Sequence, residues 1–129
     1  MKEDLIIKAT DDKPILLVVD DEPDITTTYA MLFEYHGFHV ITACDGKSAL
    51  QAIEALTPHI ILSDYMMPLM NGAELCRALK NDAHWNSIPF ILSSAALHIK
   101  DIDTPYDSLM QKPVVFSELL TEVYRLLKK

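Results

Sequence analysis

The chain has 129 residues and half of them are hydrophobic, which suits one domain with a packed core and hardly allows two. Its formal net charge is −8, and its 11 basic residues are scattered, which argues against a surface that binds nucleic acid. No apolar run approaches the roughly 18 residues of a membrane span, and the amino terminus lacks a signal-peptide pattern. We therefore expect one cytoplasmic domain.

Five short apolar runs mark the strand candidates. The first, Ile15 to Val19, is apolar without alternation, which is typical of a strand covered on both faces. The polar residues 1–13 precede it, and we expect them to be a flexible extension of a domain that spans 14–129. The strand candidates in chain order are 15–19, 38–42, 60–62, 90–92 and 109–111.

Helical patterns fill the gaps between most of these runs. The first pattern ends at Gly37, a residue that commonly terminates helices. Asp45 is placed to cap the second helix, and Asn71 with Glu74 resembles a capping box at the start of the third. Residues 117–129 place their leucines and Val123 on one stripe. The alternation predicts an α/β fold, a doubly wound five-stranded parallel sheet with helices on both faces.

Polar side chains stand where four of the predicted strands end. Asp20 and Asp21 follow the first strand, Asp64 the third, Ser94 the fourth and Lys112 the fifth. Each residue alone has a simpler explanation, such as a turn, a helix cap or a surface charge. The carboxyl ends of parallel strands meet at one edge, where ligands bind in such sheets, so we expect these side chains to converge.

The convergence of these residue types points to phosphoryl chemistry. Carboxylates that are brought together repel one another and stay ionised only if a cation joins them. Oxygen ligands with room for water suit Mg²⁺. Lys112 adds a fixed positive charge and Ser94 a hydroxyl donor, so the set can hold a transferring phosphoryl group. Asp64 is the side chain that we expect to accept it.

Four motifs occur in order along the chain. They are Val-Val-Asp-Asp-Glu at 18–22, Ser-Asp-Tyr-Met-Met-Pro-Leu-Met-Asn-Gly at 63–72, Pro-Phe-Ile-Leu-Ser-Ser-Ala at 89–95, and Lys-Pro at 112–113. With these motifs, residues from about 14 to 129 resemble the receiver domain of bacterial two-component response regulators. The second motif is long and specific, whereas the others are short but fall in the right order. The resemblance implies the flavodoxin-like (βα)5 receiver fold.

The resemblance also implies how the acidic residues divide their roles. Asp64 matches the aspartate that takes up the phosphoryl group. Asp21 matches the residue that binds Mg²⁺ directly, and Asp20 matches its neighbour, which usually acts through water. The backbone carbonyl of Met66 matches a further protein ligand of the metal, beside Asp64 itself.

Two more residues and a partner follow from the same resemblance. Ser94 matches the Thr or Ser that turns toward the phosphate, and Lys112 matches the lysine that pairs with a phosphoryl oxygen. The bond between Lys112 and Pro113 is expected to be cis. The donor would be a phosphohistidine on a sensor histidine kinase or a phosphotransfer protein, and phosphorylation would switch the conformation of the domain.

The sequence departs from the family pattern in its second half. Leu109 stands three residues before the lysine, where the family usually has an aromatic side chain that swings inward. The segment 95–111 is shorter than usual and rich in Asp, so the helix after the fourth strand is expected to be short, displaced or absent. Met66 and Ala96 are apolar at positions that flank the path of attacking water. We therefore expect only weak, slow self-dephosphorylation.

Two other functions compete with a phospho-accepting signalling domain. A Mg²⁺-dependent phosphatase with an aspartate nucleophile would need Asp-x-Asp directly after the first strand, whereas Asp20, Asp21 and Glu22 stand there. A receiver-like interaction module that is never phosphorylated usually lacks a site residue, and none is lost here. We expect no enzyme, no direct nucleic-acid binding by this domain and no membrane contact, and homodimer formation stays open.

Overall fold

Five strands form one parallel sheet in the computed structural model, which describes residues 13–95 and 103–128. The sheet order is β2-β1-β3-β4-β5, and every neighbouring pair runs parallel. The predicted doubly wound sheet is confirmed, because the chain moves outward from β1 to both edges. The strands are β1 (Ile15–Val19), β2 (His39–Ala43), β3 (Ile60–Asp64), β4 (Phe90–Ser94) and β5 (Ser108–Gln111).

The described residues form four helices, which cover both faces of the sheet. Successive residues of a strand point to opposite faces of the sheet, so one apolar run contributes side chains to the apolar clusters on both faces. Leu17 of β1 belongs to the cluster under α2 and α3, whereas Leu16 belongs to the cluster under α1 and α4. None of these helices is long and apolar enough to cross a membrane. They are α1 (Pro23–Tyr35), α2 (Gly46–Ala55), α3 (Gly72–Lys80) and α4 (Phe116–Leu127).

Two capping boxes begin the helices at the positions that the sequence predicts. The Asp45 carboxylate accepts the Ser48 backbone N–H at 2.7 Å, and this bond holds the pKa of Asp45 below its ordinary value. The Asn71 side chain accepts the Glu74 backbone N–H at 2.8 Å, and Glu74 accepts the Asn71 N–H in return. Because these caps satisfy N–H groups that a helix leaves unpaired, they fix where α2 and α3 start.

The link between β4 and β5 is irregular where it is described. Residues 103–107 contain no helix, while residues 96–102, on which most of the expected short or absent helix falls, lie outside the described residues. Residues 1–12 of the expected extension lie outside them as well. Arg77 of α3 donates a hydrogen bond to the Thr104 hydroxyl at 3.1 Å, and Tyr106 packs against the cluster under α3.

The carboxylate of Asp107 ties this link to the amino-terminal edge of the sheet. One of its oxygens accepts the backbone N–H of Phe90 at 2.8 Å and lies 2.8 Å from the Lys80 ammonium. Lys80 also donates to the carbonyl of Ile88 at 3.0 Å. Asp107 thus joins the starts of β4 and β5 to the end of α3.

Replacing Asp107 by Ala is expected to lower the free energy of unfolding by about 1–3 kcal/mol, because the Phe90 N–H loses its acceptor and the Lys80 ammonium loses its ion pair. Asp107→Asn keeps an oxygen for Phe90 and is expected to lose less. Urea denaturation measures both variants, with Asp103→Ala as an exposed control in the same segment. An equal loss in the control and in Asp107→Ala would contradict the anchoring role.

Candidate functional site

Three carboxylates lie together at the carboxyl edge of the sheet. Asp20 and Asp21 follow β1 and Asp64 ends β3, and one carboxylate oxygen from each lies within 4.8 Å of the others. Asp20 is 4% exposed and Asp64 6% exposed, whereas Asp21 faces solvent. The pairing of Val19 with Ser63 in the parallel ladder brings the ends of these strands side by side. The three aspartates therefore lie together, as the positions of the strand ends predict.

Backbone hydrogen bonds hold Asp20 in place. Its N–H donates to the carbonyl of Ala43 at the end of β2, at 3.1 Å. Its carboxylate accepts the N–H of Glu22 at 3.0 Å, which closes a short turn into α1. The carboxylate therefore has a fixed direction, as a ligand site requires.

Lys112 brings one positive charge to this cluster. Its ammonium lies 3.0 Å from Oδ1 of Asp64 and 3.5 Å from Oδ2 of Asp20. The Lys112 N–H donates to the carbonyl of Ser94 at 2.8 Å, which connects the end of β4 to the residue after β5. The bond between Lys112 and Pro113 is cis, so that expectation is confirmed. One ammonium against three carboxylates leaves the cluster negative, which favours a further cation.

Burial and charge shift the pKa values of this pair. Burial raises the pKa of the Asp64 carboxyl above its ordinary value, although the hydrogen bond from Lys112 acts in the opposite direction. Burial acts to lower the pKa of Lys112, but the hydrogen bond and the charge of Asp64 outweigh it and raise that pKa. The Lys112 ammonium thus stays charged, whereas burial makes the ionised form of Asp64 less stable than it would be in water.

Ser94 lies next to this cluster in the sheet, and Met66 lies next to it in the chain. Ser94 is the last residue of β4 and is fully buried, and its neighbour Ser93 pairs with Asp64. Met66 follows Asp64 by two residues in the loop before α3, and its side chain is 65% exposed. The roles expected for the Ser94 hydroxyl and the Met66 carbonyl stay predictions.

Gly72 supports the site although sequence reasoning gave it no role. Its N–H donates to the carbonyl of Tyr65 at 2.8 Å, so the first turn of α3 lies against the residue after Asp64. A Cβ at this position would collide with the Asp64 carbonyl oxygen and come within 2.7 Å of the Leu92 side chain. Only glycine permits this approach, and the sole signal in the sequence is its place in the 63–72 motif.

The loop between Asp64 and Gly72 contains a strained turn. The Met70 N–H donates to the Pro68 carbonyl at 2.8 Å and closes a three-residue turn around Leu69. Leu69 has φ of 70°, a left-handed conformation that leucine rarely adopts, and its side chain is 98% exposed. Met67 is buried and Met70 packs on the apolar cluster. The turn at Leu69 thus lies between two methionines that pack into the protein.

Tyr29 of α1 is a second residue near the site that sequence reasoning missed. The periodicity places it on the buried face of a helix, and it does pack against the apolar cluster. It also lines a cavity with Lys112. Burial raises the pKa of Tyr29, and the charges of Lys112, Asp20 and Asp64 act on it as well. Helical periodicity cannot reveal this contact, because it depends on how α1 lies relative to the residues that follow β5.

Fold and site together define a small doubly wound α/β protein with an acidic cluster and a lysine at the strand ends. The family model of the response regulator receiver domain matches residues 16–124. The chain therefore belongs to the response regulator receiver domain family, as its motifs predict.

Relatives and solved structures agree with this assignment. Hybrid signal transduction histidine kinase D of Dictyostelium discoideum is 35% identical over 119 residues, which are 89% of this chain and 8% of that protein. The receiver domain of a histidine kinase from Syntrophus aciditrophicus has a TM-score of 0.84 at 28% identity, covering 89% of this chain and 90% of that one. Response regulator TrrA from Thermotoga maritima, solved with Mg²⁺ and BeF, has a TM-score of 0.80 at 26% identity, covering 88% and 98%. The chain spans about half or less of the curated relatives it matches.

Substitution of Asp64 by Asn is expected to stabilise the protein in buffer free of divalent cations. A carboxyl whose pKa is raised by folding contributes most to stability when protonated, and that contribution is lost as pH rises through the raised pKa. The gain from Asp64→Asn should therefore be smallest near about pH 4 and largest near about pH 7. Thermal melts across this range measure it.

Glu54→Gln is the matched control, because it makes the same change in net charge at an exposed position on α2. Its melting temperature should differ from that of the wild type by nearly the same small amount at every pH. A lower melting temperature for Asp64→Asn at neutral pH would show that the clustered carboxylates do not destabilise the metal-free fold.

Proposed function

We propose that this receiver domain accepts a phosphoryl group on the Asp64 carboxylate in two-component signal transduction. The donor would be the phosphohistidine of a sensor histidine kinase or of a phosphotransfer protein. The observation that carries the proposal is the position of the Lys112 ammonium, 3.0 Å from Asp64 Oδ1, inside a cluster of three carboxylates. This geometry joins a nucleophile, a fixed cation and a set of oxygen ligands at one point.

The residues of the cluster fit Mg²⁺. The three carboxylates offer only oxygen atoms, which this ion prefers, and Asp21 at the rim leaves room for water. We assign Asp20, Asp21, Asp64 and the backbone carbonyl of Met66 as its protein ligands. When bound, Mg²⁺ would offset the charge of the carboxylates and of the phosphoryl oxygens.

The protein side chains would carry the transfer itself. An oxygen of ionised Asp64 attacks the phosphorus, and the bond from phosphorus to the donor's ring nitrogen breaks. Lys112 is placed to pair with a phosphoryl oxygen as charge moves onto it, and the Ser94 hydroxyl would donate to another. Asp64 must be ionised to attack; burial raises its pKa and so opposes ionisation, whereas the hydrogen bond and charge of Lys112 act in the opposite direction.

The product would act by shifting the balance between two packings of the domain. Leu109 is partly buried against the cluster under α3, in the position where the family usually has an aromatic side chain. Tyr106 packs against the same cluster. We infer that the change spreads through the packing of this segment rather than by rotation of an aromatic ring at position 109.

Location and partners rest on composition and on the family. The formal charge of −8 supports a domain that does not bind nucleic acid directly. A cytoplasmic location stays a prediction, as does the question of a homodimer. Contact with a kinase or a phosphotransfer protein follows from the proposed reaction, since the phosphoryl group must come from a donor.

Incubation with Mg²⁺ and acetyl phosphate or phosphoramidate is expected to add one phosphoryl group, measured by intact mass. Asp64→Asn should abolish the addition because the nucleophile is gone. Asp24→Asn, an exposed carboxylate near the same edge, is the matched control and should still gain the group. Uptake by Asp64→Asn would disprove the site, and no uptake by the wild type would favour an interaction module that is not phosphorylated.

The phosphorylated form is expected to be long-lived when Mg²⁺ is present and no phosphatase is added. Met66 is apolar and 65% exposed beside Asp64, so it cannot orient a water molecule for attack. Ala96, the other residue expected on that path, lies outside the described residues. Met66→Asn should speed the loss severalfold, because an amide can hold water. Loss of the group from the wild type within seconds would refute the proposal.

A further inference from the structure

The loop that follows Asp64 holds three methionines whose access to solvent differs. The side chain of Met66 is 65% exposed, whereas Met67 is buried. Met70 packs against the apolar cluster under α2 and α3, and its sulfur lies so close to Gly46 that a Cβ there would collide with it. Met66 is therefore the methionine of this loop whose thioether a dissolved reagent can reach.

One other described methionine is equally open to solvent. Met31 of α1 is 67% exposed, whereas Met110 is partly buried against the apolar cluster under α1 and α4. Met31 lies eight residues beyond Pro23, which is about 12 Å along the helix from its start. Met66 lies two residues beyond Asp64, so the two Cα atoms are at most about 7 Å apart. The two exposed methionines thus match in exposure, and only Met66 adjoins the acceptor in the chain.

We propose that Met66 is a modification site at which a peroxide converts the thioether into a sulfoxide, and that this oxidation shortens the lifetime of the phosphoryl group on Asp64. The effect on the lifetime rests on the proposed function, since it needs a phosphorylated Asp64. The modification itself does not, because a peroxide reacts with an exposed thioether whether or not the acceptor carries a phosphoryl group.

The oxidation balances with hydrogen peroxide as its only co-reactant. A lone pair of the sulfur attacks one peroxide oxygen, and the bond between the two oxygens breaks. The departing oxygen takes up the proton of the transferred hydroxyl and leaves as water. The sulfur loses two electrons, which the peroxide gains. Reductases that act on methionine sulfoxide reverse the change, so the modification can serve as a switch.

The exposure of Met66 makes the sulfoxide compatible with the fold. A thioether is a weak hydrogen-bond acceptor, whereas a sulfoxide carries a strongly polar oxygen. At Met66 that oxygen stays in water, but on the buried Met67 it would lose its contacts with water and cost free energy. The reaction also adds no charge, so the balance between Lys112 and the three carboxylates stays as it is. Uptake of the phosphoryl group by Asp64 should therefore continue.

The new oxygen would act on the phosphorylated form through water. A sulfoxide oxygen accepts a hydrogen bond from a water molecule and holds it at the rim of the site, which the apolar thioether of Met66 does not do. Hydrolysis needs such a water to attack phosphorus while the bond from phosphorus to the Asp64 oxygen breaks. Inorganic phosphate then leaves and the carboxylate is restored, so the domain returns to its resting form sooner under oxidising conditions.

Limited treatment of the full chain with hydrogen peroxide tests both the site and its effect. Peptide masses should show one added oxygen on Met66 and on Met31 before Met67 or Met70 gains any. Treated and untreated protein are then phosphorylated with acetyl phosphate and Mg²⁺, the donor is removed, and the remaining phosphoryl group is followed by intact mass. Treated protein should lose the group severalfold faster, and methionine sulfoxide reductases should restore the slow loss. Every protein in the test carries Cys44→Ser, because the exposed Cys44 thiol also reacts with peroxide.

Substitutions separate Met66 from the other methionines. Met31→Leu is the matched control and should leave the effect of peroxide on the lifetime unchanged. Met66→Leu removes the sulfur and should abolish that effect. Met66→Gln places an amide oxygen at a similar reach and should shorten the lifetime without peroxide.

Each contrary result has a distinct meaning. Oxidation of Met31 without oxidation of Met66 would overturn the site, and oxidation of Met66 without faster loss would overturn its effect on the lifetime. An effect of peroxide that persists in Met66→Leu would assign it to another residue and overturn the inference as well. If the untreated protein takes up no phosphoryl group from acetyl phosphate, the proposed function falls, while the peptide masses still decide whether Met66 is the modification site.

Discussion

The repulsion among clustered carboxylates is the constraint on which the site depends. Asp20 and Asp64 are almost fully buried, and burying like charges together costs free energy unless a cation accompanies them. Lys112 contributes one positive charge at 3.0 Å from Asp64, which is too little to neutralise three carboxylates. The site therefore keeps a net negative charge. That negative charge would attract a divalent cation, which in turn would favour the binding of a phosphoryl group.

The scaffold maintains this unfavourable arrangement through apolar packing and backbone hydrogen bonds. Two apolar clusters, one on each face, lock β1 beside β3, and the register that pairs Val19 with Ser63 places Asp20 beside Asp64. Gly72 lets the start of α3 approach the Asp64 carbonyl. Leu69, in the loop that follows Asp64, has a left-handed conformation, a strained arrangement that often occurs at functional sites.

The half of the molecule around β5 differs from the usual family pattern. Leu109 packs where an aromatic residue is usual, and residues 103–107 are irregular and tied to α3 through Thr104 and Asp107. The cavity that Tyr29 and Lys112 share lies on the opposite side of the site, between α1 and the chain after β5. The cavity and the irregular segment 103–107 thus lie on different surfaces of the same small domain.

The sequence alone predicts the order of strands and helices, the helix caps at Asp45 and Asn71, and the convergence of polar residues at the strand ends. These features follow from local patterns, because apolar runs, caps and parallel connections are encoded by neighbouring residues. The need for glycine at position 72 and the place of Tyr29 beside the site are visible only in the tertiary structure. Both depend on how segments that are far apart in the chain approach each other in space. The spacing of residues along the sequence does not reveal that approach.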